Sequence, residues 1–272
     1  MMTARSTSKA TVRPPAVAGM FYPADQRQLH DEVTHYLNEA IGSRTDALVP
    51  KAIIAPHAGY VYSGPVAASA YARLLPARDR IHRVVLLGPS HHVPFRGLAS
   101  SGADVFTTPL GPITLDRAAI DSLVDLPQVH HLDEAHTLEH SLEVHLPFLQ
   151  EILDDFQLVP LVVGDARPAE VAEVLERLWG GPETLIVISS DLSHYHDYIT
   201  AKRLDRHTSD AIEHLRAEAV HPEDACGCFG IAGLLYLARE RGLQASTVDL
   251  RNSGDTAGSK DQVVGYGAYV FN

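Results

Sequence analysis

The sequence predicts an α/β fold, a three-layer αβα sandwich built on a central, mostly parallel (mixed) sheet. Short apolar runs alternate with longer segments of helical periodicity from residue 25 onwards. No internal repeat and no long linker interrupts this alternation, so residues 13–272 are predicted to form a single α/β domain. Residues 1–12 are predicted to be a disordered N-terminal tail.

The helices are recognised by the spacing of their apolar residues and by the residues at their ends. In the first helix Leu29, Val33 and Leu37 recur every four residues, and Gly42 ends it. The second helix starts with Pro65, which follows a glycine. Helices are predicted at 25–42, 65–75, 141–153, 169–180, 199–215 and 228–242.

The strands are predicted from short apolar runs. Almost continuous apolar runs are typical of strands that helices cover on both faces, as in a parallel sheet. Strands are predicted at 51–56, 82–88, 156–164, 183–190, 244–251 and 263–271.

The composition argues against several classes of function. The 22 Lys and Arg against 34 Asp and Glu give a formal net charge of -12, whereas nucleic-acid and anionic-membrane partners require a basic surface. Two cysteines form no disulfide framework, and the N-terminus lacks the apolar segment of a secretory signal. We expect a cytoplasmic protein that binds neither nucleic acid nor membrane. The sequence contains no phosphate-binding loop motif, so we expect no nucleotide cofactor.

Histidines follow three of the predicted strands. His57 follows the first strand, His91 and His92 follow the second, and Asp191 and His194 follow the fourth. Ligands of open α/β sheets bind beyond the carboxyl ends of the strands. We therefore expect these side chains to share one site, with the two adjacent histidines facing opposite ways.

A pair of cysteines precedes the last predicted helix. Cys226 and Cys228 stand in the sequence "DACGCFGIAG". A thiol at a helix N-terminus is expected to have a lowered pKa, and thiolate and neutral imidazole both bind transition metals. We expect one cysteine to be a metal ligand and the other to pack in the core.

The stretch "HTLEH" matches the H-x-x-E-H zinc-peptidase pattern. On one helix His136 and His140 would share a face beside Glu139 as a base, which is the alternative of a zinc hydrolase. In another interpretation Glu139, His140, Glu143 and His145 orient the metal-bound imidazoles through hydrogen bonds. In a third, these four side chains form a solvated helix face.

Six stretches together resemble the Memo family in its prokaryotic form. They are "AGMFYP", "AIIAPHAGYVYSGPVAA", "LLGPSHHVPF", "EHSLEVHLPFLQ", "ISSDLSHY" and "NSGDTAGSKDQVVGYGAY". The resemblance runs from about residue 13 to the end. It implies a fold like that of the class III extradiol ring-cleaving dioxygenases, which hold non-haem iron with two histidines and a carboxylate.

The resemblance implies a set of site residues. His57, His91 and Cys226 correspond to metal ligands, with Fe(II) or copper as the metal. Asp191 and His194 correspond to catalytic positions, and His194 takes the place of the acid/base histidine of the dioxygenases. The cysteine replaces their carboxylate ligand, so ring cleavage does not follow from the shared fold. His92 is expected to support its loop through a hydrogen bond rather than bind the metal.

The resemblance also frames the function. Relatives are implicated in copper or iron handling and redox control, so we expect a metal-dependent redox protein that acts on an unknown small molecule. The alternative from another class is a non-catalytic protein that binds a metal or a phosphopeptide. Prokaryotic members are linked with a radical S-adenosylmethionine protein, which implies a functional connection of the same kind here.

Overall fold

The computed structural model describes residues 10–42 and 48–272, so most of the predicted tail lies outside the described residues. The strands are β1 (Val12–Arg13), β2 (Ala52–Ala55), β3 (Arg83–Pro89), β4 (Leu98–Ser100), β5 (Val105–Thr108), β6 (Gly111–Thr114), β7 (Val129–His131), β8 (Gln157–Val163), β9 (Thr184–Ser189), β10 (His194–His196), β11 (Ala245–Asn252) and β12 (Val263–Phe271). The helices are α1 (Gln26–Gly42), α2 (Tyr60–Tyr71), α3 (Arg117–Asp121), α4 (Glu134–Thr137), α5 (His140–Glu143), α6 (Leu146–Ile152), α7 (Pro168–Arg177), α8 (Tyr198–Glu213) and α9 (Cys228–Arg241).

The main sheet is mixed and has a parallel centre. Its strand order is β10-β12-β2-β9-β3-β8-β4-β7, and β11 pairs with β12. The four central strands β2, β9, β3 and β8 are parallel neighbours. On either side, β12 runs antiparallel to β2 and β4 runs antiparallel to β8. A separate small sheet has the order β1-β5-β6.

Helices cover both faces of this sheet. Helices α1, α2 and α6 pack together on one face, and α7 packs on α9 on the other. Alternation along the strands separates the two layers. Ser189 bonds to the carbonyl oxygen of Ser141 in α5, whereas the preceding Ile188 faces Gly230 of α9. The predicted three-layer αβα sandwich is confirmed.

Most of the predicted elements are present. Leu29, Val33 and Leu37 form the buried stripe of α1, and the predicted strands correspond to β2, β3, β8, β9, β11 and β12. Burial on both faces explains their unbroken apolar runs, because β2 and β9 are buried at every residue.

Two predicted helices differ in their bounds. α2 begins at Tyr60, so Pro65 lies inside the helix instead of starting it. The segment 141–153 is split into α5 and α6, with Pro147 in the first turn of α6. Proline has no N–H to continue the ladder from Glu143, which explains a new helix start there. No helix within the described residues is long and apolar enough to cross a membrane.

Candidate metal centre

The carboxyl ends of three parallel strands bring the candidate site together. β2 ends at Ala55, two residues before His57, and β3 ends at Pro89, two residues before His91. β9 lies between β2 and β3 and leads directly to Asp191. Neighbouring parallel strands end at the same edge of the sheet, which explains why these side chains meet.

Two histidines and one cysteine form a compact cluster of metal-ligating groups. His57, His91 and Cys226 each place one ligand atom within 4.8 Å of the other two. The Sγ atom of Cys226 lies 3.3 Å from Nε2 of His57, and the imidazole rings of His57 and His91 are 5.2 Å apart. Two imidazoles and a thiolate at this spacing are a donor set that fits copper, and with open positions also iron.

A serine fixes the orientation of His57. Nδ1 of His57 lies 2.6 Å from Oγ of Ser189, and this hydroxyl donates its proton to the carbonyl oxygen of Ser141 at 2.6 Å. The hydroxyl therefore accepts a hydrogen bond from His57, which places the imidazole proton on Nδ1. Nε2 then carries no proton, and its lone pair is available to bind a metal. Burial, followed by the charges of His91 and other nearby histidines, lowers the pKa of His57, which favours neutral imidazole.

A carboxylate fixes the orientation of His91. Oε1 of Glu139 lies 2.8 Å from Nδ1 of His91 and also accepts from the backbone N–H of Ser141 at 2.9 Å. Oε2 accepts from the backbone N–H of His91 at 2.7 Å. Burial raises the pKa of Glu139, but the hydrogen bond from His91, the charge of His91 and the two backbone hydrogen bonds outweigh it and bring the pKa to about 2. The ionised carboxylate holds the Nδ1 proton, so Nε2 of His91 is the nitrogen available to a metal.

Cys226 faces the histidines, and Cys228 packs in the core. The backbone N–H of Asp191 points at Sγ of Cys226 at 3.3 Å, whereas Cys228 is 2% exposed at the start of α9. Burial, then the charge of Asp191, raises the pKa of Cys226. The expectation of a lowered pKa is therefore wrong for the free thiol, because desolvation outweighs the helix dipole. At Gly227 a Cβ would lie 2.4 Å from the backbone oxygen of Ser189, so glycine permits this close approach.

Asp191 and His194 have separate surroundings. Asp191 is buried and accepts a 2.7 Å hydrogen bond from the backbone N–H of His57, so it holds the loop that follows β2. Burial raises its pKa to about 7, against the opposing effect of that hydrogen bond. His194 is half-buried in β10 and pairs with Val264 of β12. Burial also lowers the pKa of His194.

Further rings line the site. The ring of His140 stacks on His91 at 4.5 Å and meets His57 edge-on at 5.5 Å. Its Nδ1 lies 3.5 Å from Glu139. His92 is exposed, and its ring lies 6.3 Å from His140. Phe21 packs on His140 at 4.8 Å, so residues near the N-terminus contribute to this wall.

Glu143 and His145 belong to hydrogen-bond networks that do not include His57 or His91. The carboxylate of Glu143 accepts from Arg13 and, at 2.5 Å, from the hydroxyl of Tyr22. Nδ1 of His145 bonds to the hydroxyl of Tyr71 at 2.8 Å, deep in the core. Both are buried, so the alternative of a solvated helix face is wrong for them. The interpretation that they hydrogen-bond the metal-bound imidazoles is also wrong, since those bonds come from Ser189 and Glu139.

The "HTLEH" stretch is not one helix. α4 ends at Thr137 and α5 begins at His140, with Glu139 extended between them. Nε2 of His136 is turned to the carbonyl oxygen of Ala99 at 3.0 Å, and burial lowers its pKa to about 4. The helical arrangement on which the zinc-hydrolase alternative depends is therefore wrong.

Sequence reasoning missed two residues that shape the site. Ser189 fixes the His57 tautomer, and Phe21 covers His140. Ser189 is a polar residue at the end of a buried strand, beside the strand that leads to His57, and this pattern could have identified it. Phe21 has no such signal, since its contact joins distant parts of the chain.

Comparisons with known proteins agree with this architecture. The Memo family model, described as Memo-like protein, matches residues 13–270. MEMO1 family proteins of Aquifex aeolicus and Saccharolobus islandicus are each 36% identical to the chain. The first alignment covers 96% of this chain and 99% of that protein, and the second covers 95% and 99%. The crystal structure of an uncharacterized protein, JW3007, from Escherichia coli K12 has a TM-score of 0.50 at 15% identity. The match covers 79% of this chain and 98% of that one, and it shows a shared fold.

The chain belongs to the Memo family. The family match includes every residue of the candidate centre, from the strands that carry His57 and His91 to Cys226 before α9.

Proposed function

We propose that this protein is a metal-dependent redox protein with one mononuclear centre held by His57, His91 and Cys226. The observation that carries the proposal is the convergence of their three ligand atoms within 4.8 Å. Both imidazoles already have Nδ1 engaged by hydrogen bonds, which leaves Nε2 for the metal. Sites preorganised in this way are typical of metal-binding histidines.

Fe(II) or copper is the metal we propose. Two imidazoles with a thiolate suit copper, and the resemblance to extradiol dioxygenases favours non-haem iron. Either metal would supply one-electron redox chemistry at positions left open by three protein ligands. The thiolate is softer than a carboxylate, so the chemistry is proposed to differ from ring cleavage.

The protein's own residues supply positioning and proton transfer. Asp191 holds the backbone of His57 and thereby the direction of that ligand. His194, half-buried in β10, is proposed to accept a proton from a small-molecule substrate. Burial lowers its pKa, which favours the neutral imidazole that can act as a base.

The test is metal analysis of protein purified under anaerobic conditions. Wild-type protein should contain close to one iron or copper per chain, and His57→Ala, His91→Ala and Cys226→Ser should each lose it. His92→Ala is the matched control, because His92 is adjacent to His91 and exposed. Equal metal loss in His92→Ala and His91→Ala would contradict the assigned ligand set. Stoichiometric metal without oxygen consumption on any compound tested would favour a non-catalytic metal-binding protein.

A further inference from the structure

A buried arginine spans the two short helices beside the candidate centre. Arg13, in β1, is 7% exposed. Its Nε donates to the carbonyl oxygen of His136 at 3.1 Å, and its Nη2 donates to the carbonyl oxygen of Glu139 at 2.7 Å. Its Nη1 donates to the carboxylate of Glu143. Three different acceptors therefore bind one guanidinium group. This arrangement requires a planar group with donors pointing in several fixed directions, which only arginine provides.

The Glu139 contact connects this arginine to a metal ligand. Glu139 has extended backbone angles, φ -77° and ψ 125°, between α4 and α5. Its carbonyl oxygen accepts from Arg13, and its side chain accepts from both Nδ1 and the backbone N–H of His91. The backbone position that Arg13 fixes is thus the one that aims the carboxylate at His91.

Glu143, in α5, also binds Arg13 and the residues that follow it. It is fully buried, and its two oxygens accept from Arg13, from the backbone N–H groups of Ala16 and Val17 at 2.7 and 3.0 Å, and from the hydroxyl of Tyr22. Residues 13–22 are therefore tied to α5 through one carboxylate. An uncompensated buried charge is costly, so both members of this pair are needed.

We propose that Arg13 and Glu143 are positioning residues of the metal centre, acting on His91 through Glu139. Neither side chain is among the groups that cluster as metal ligands. The inference rests on the metal site proposed above and adds the device that holds one of its ligands in place. Partners beyond the metal ligands typically change metal affinity 10- to 100-fold. We expect about a 10-fold loss for Arg13, which acts one residue further out.

The experiment compares Arg13→Lys, Arg13→Gln and Glu143→Gln in the full-length chain. Lysine keeps the charge opposite Glu143 but loses the planar guanidinium, whose three nitrogens each donate to a different acceptor. The control is Arg117→Lys, at an arginine that is 38% exposed and makes its carbonyl contacts from Nη1 alone. Arg117 also donates to two carbonyl oxygens, those of Ser101 at 2.6 Å and Ala103 at 3.3 Å. Each protein is titrated with Co²⁺, which reports the thiolate charge-transfer and d–d bands of the centre, and its thermal unfolding is recorded.

The expected result is a weaker and spectrally altered cobalt site in Arg13→Lys, while Arg117→Lys keeps the wild-type affinity and bands. Arg13→Lys with wild-type affinity and bands would overturn the inference. So would Arg117→Lys shifting both as much, because the effect would then reflect general destabilisation. If Arg13→Gln does not fold, Arg13→Lys and Glu143→Gln decide the outcome. Wild-type protein that binds no cobalt would instead overturn the proposed metal site, and this inference with it.

Discussion

Replacing Glu139 by glutamine tests how the centre orients His91. The carboxylate accepts three hydrogen bonds. Oε1 takes those from Nδ1 of His91 and the N–H of Ser141, and Oε2 takes that from the N–H of His91. Glutamine offers one oxygen and an NH₂ group, so in either orientation at least one donor faces another donor. We expect Glu139→Gln to destabilise the fold and weaken metal binding together.

The magnitudes follow from these contacts. One buried donor without an acceptor costs about 1–3 kcal/mol of folding free energy. Loss of the carboxylate partner of a metal-binding imidazole lowers metal affinity about 10- to 100-fold, which corresponds to about 1.4–2.7 kcal/mol of binding free energy. The change in affinity is thus large enough to measure beside the change in stability.

The assay is a metal titration of the reduced protein together with urea unfolding of the metal-free form. The control is Glu183→Gln. Glu183 also accepts a backbone N–H, that of Gly181 at 2.8 Å, and it lies before β9 at the opposite edge of the sheet. Wild-type metal affinity in Glu139→Gln would refute the argument that the carboxylate orients His91. Equal loss of metal affinity in Glu183→Gln would show that the effect does not depend on the contact between Glu139 and His91.

Three further outcomes are expected. His194→Ala should retain bound metal but lose any oxygen-consuming turnover, as measured by metal analysis and an oxygen electrode; loss of the metal would make His194 a ligand. Burial raises the pKa of Asp205 from 3.8 to about 6. The folded form therefore binds the proton more tightly, and wild-type stability should fall as pH rises across this window. Asp205→Asn should remove that fall, gaining roughly 2–3 kcal/mol on the wild type in urea unfolding between pH 3.5 and 7. A pH-independent difference would contradict the assignment. Gly97 has φ +84°, and a Cβ there would lie 2.1 Å from the backbone oxygen of Gln128. Gly97→Ala should lower the free energy of unfolding by at least about 1–3 kcal/mol, and an unchanged melting temperature would contradict this.

The parallel centre of the sheet was predictable because its physical cause is local in sequence. Strands buried on both faces must be apolar throughout, so β2, β3, β8 and β9 stand out as short runs. The order of strands and helices then places the residues that follow them at one edge.

The segment between β3 and α6 was not predictable in the same way. β4 and β7 have three residues each, and their pairing partners are distant or differ in direction. Strands this short carry too few alternating positions to show a period. Their stability comes from pairing with β8 and from burial, which depend on the fold as a whole.

In the candidate site, too, some features were predictable from local sequence and others depend on the fold. The presence of histidines after strands is a property of the sequence, but the partner of each histidine is a property of the tertiary structure. Ser189 is 132 residues from His57 in the sequence, and Glu139 is 48 residues from His91. The position of Cys226 before a helix predicts a low pKa, but burial raises the pKa of this thiol.

The two imidazoles are oriented by acceptors of different strength, and this difference has a chemical consequence. His57 donates to a neutral hydroxyl that passes its own proton to a carbonyl oxygen. His91 donates to an ionised carboxylate, and such a charge-assisted hydrogen bond polarises an imidazole more strongly than a bond to a neutral hydroxyl. A metal between them would therefore be bound more strongly by His91, on the exposed side, than by the buried His57.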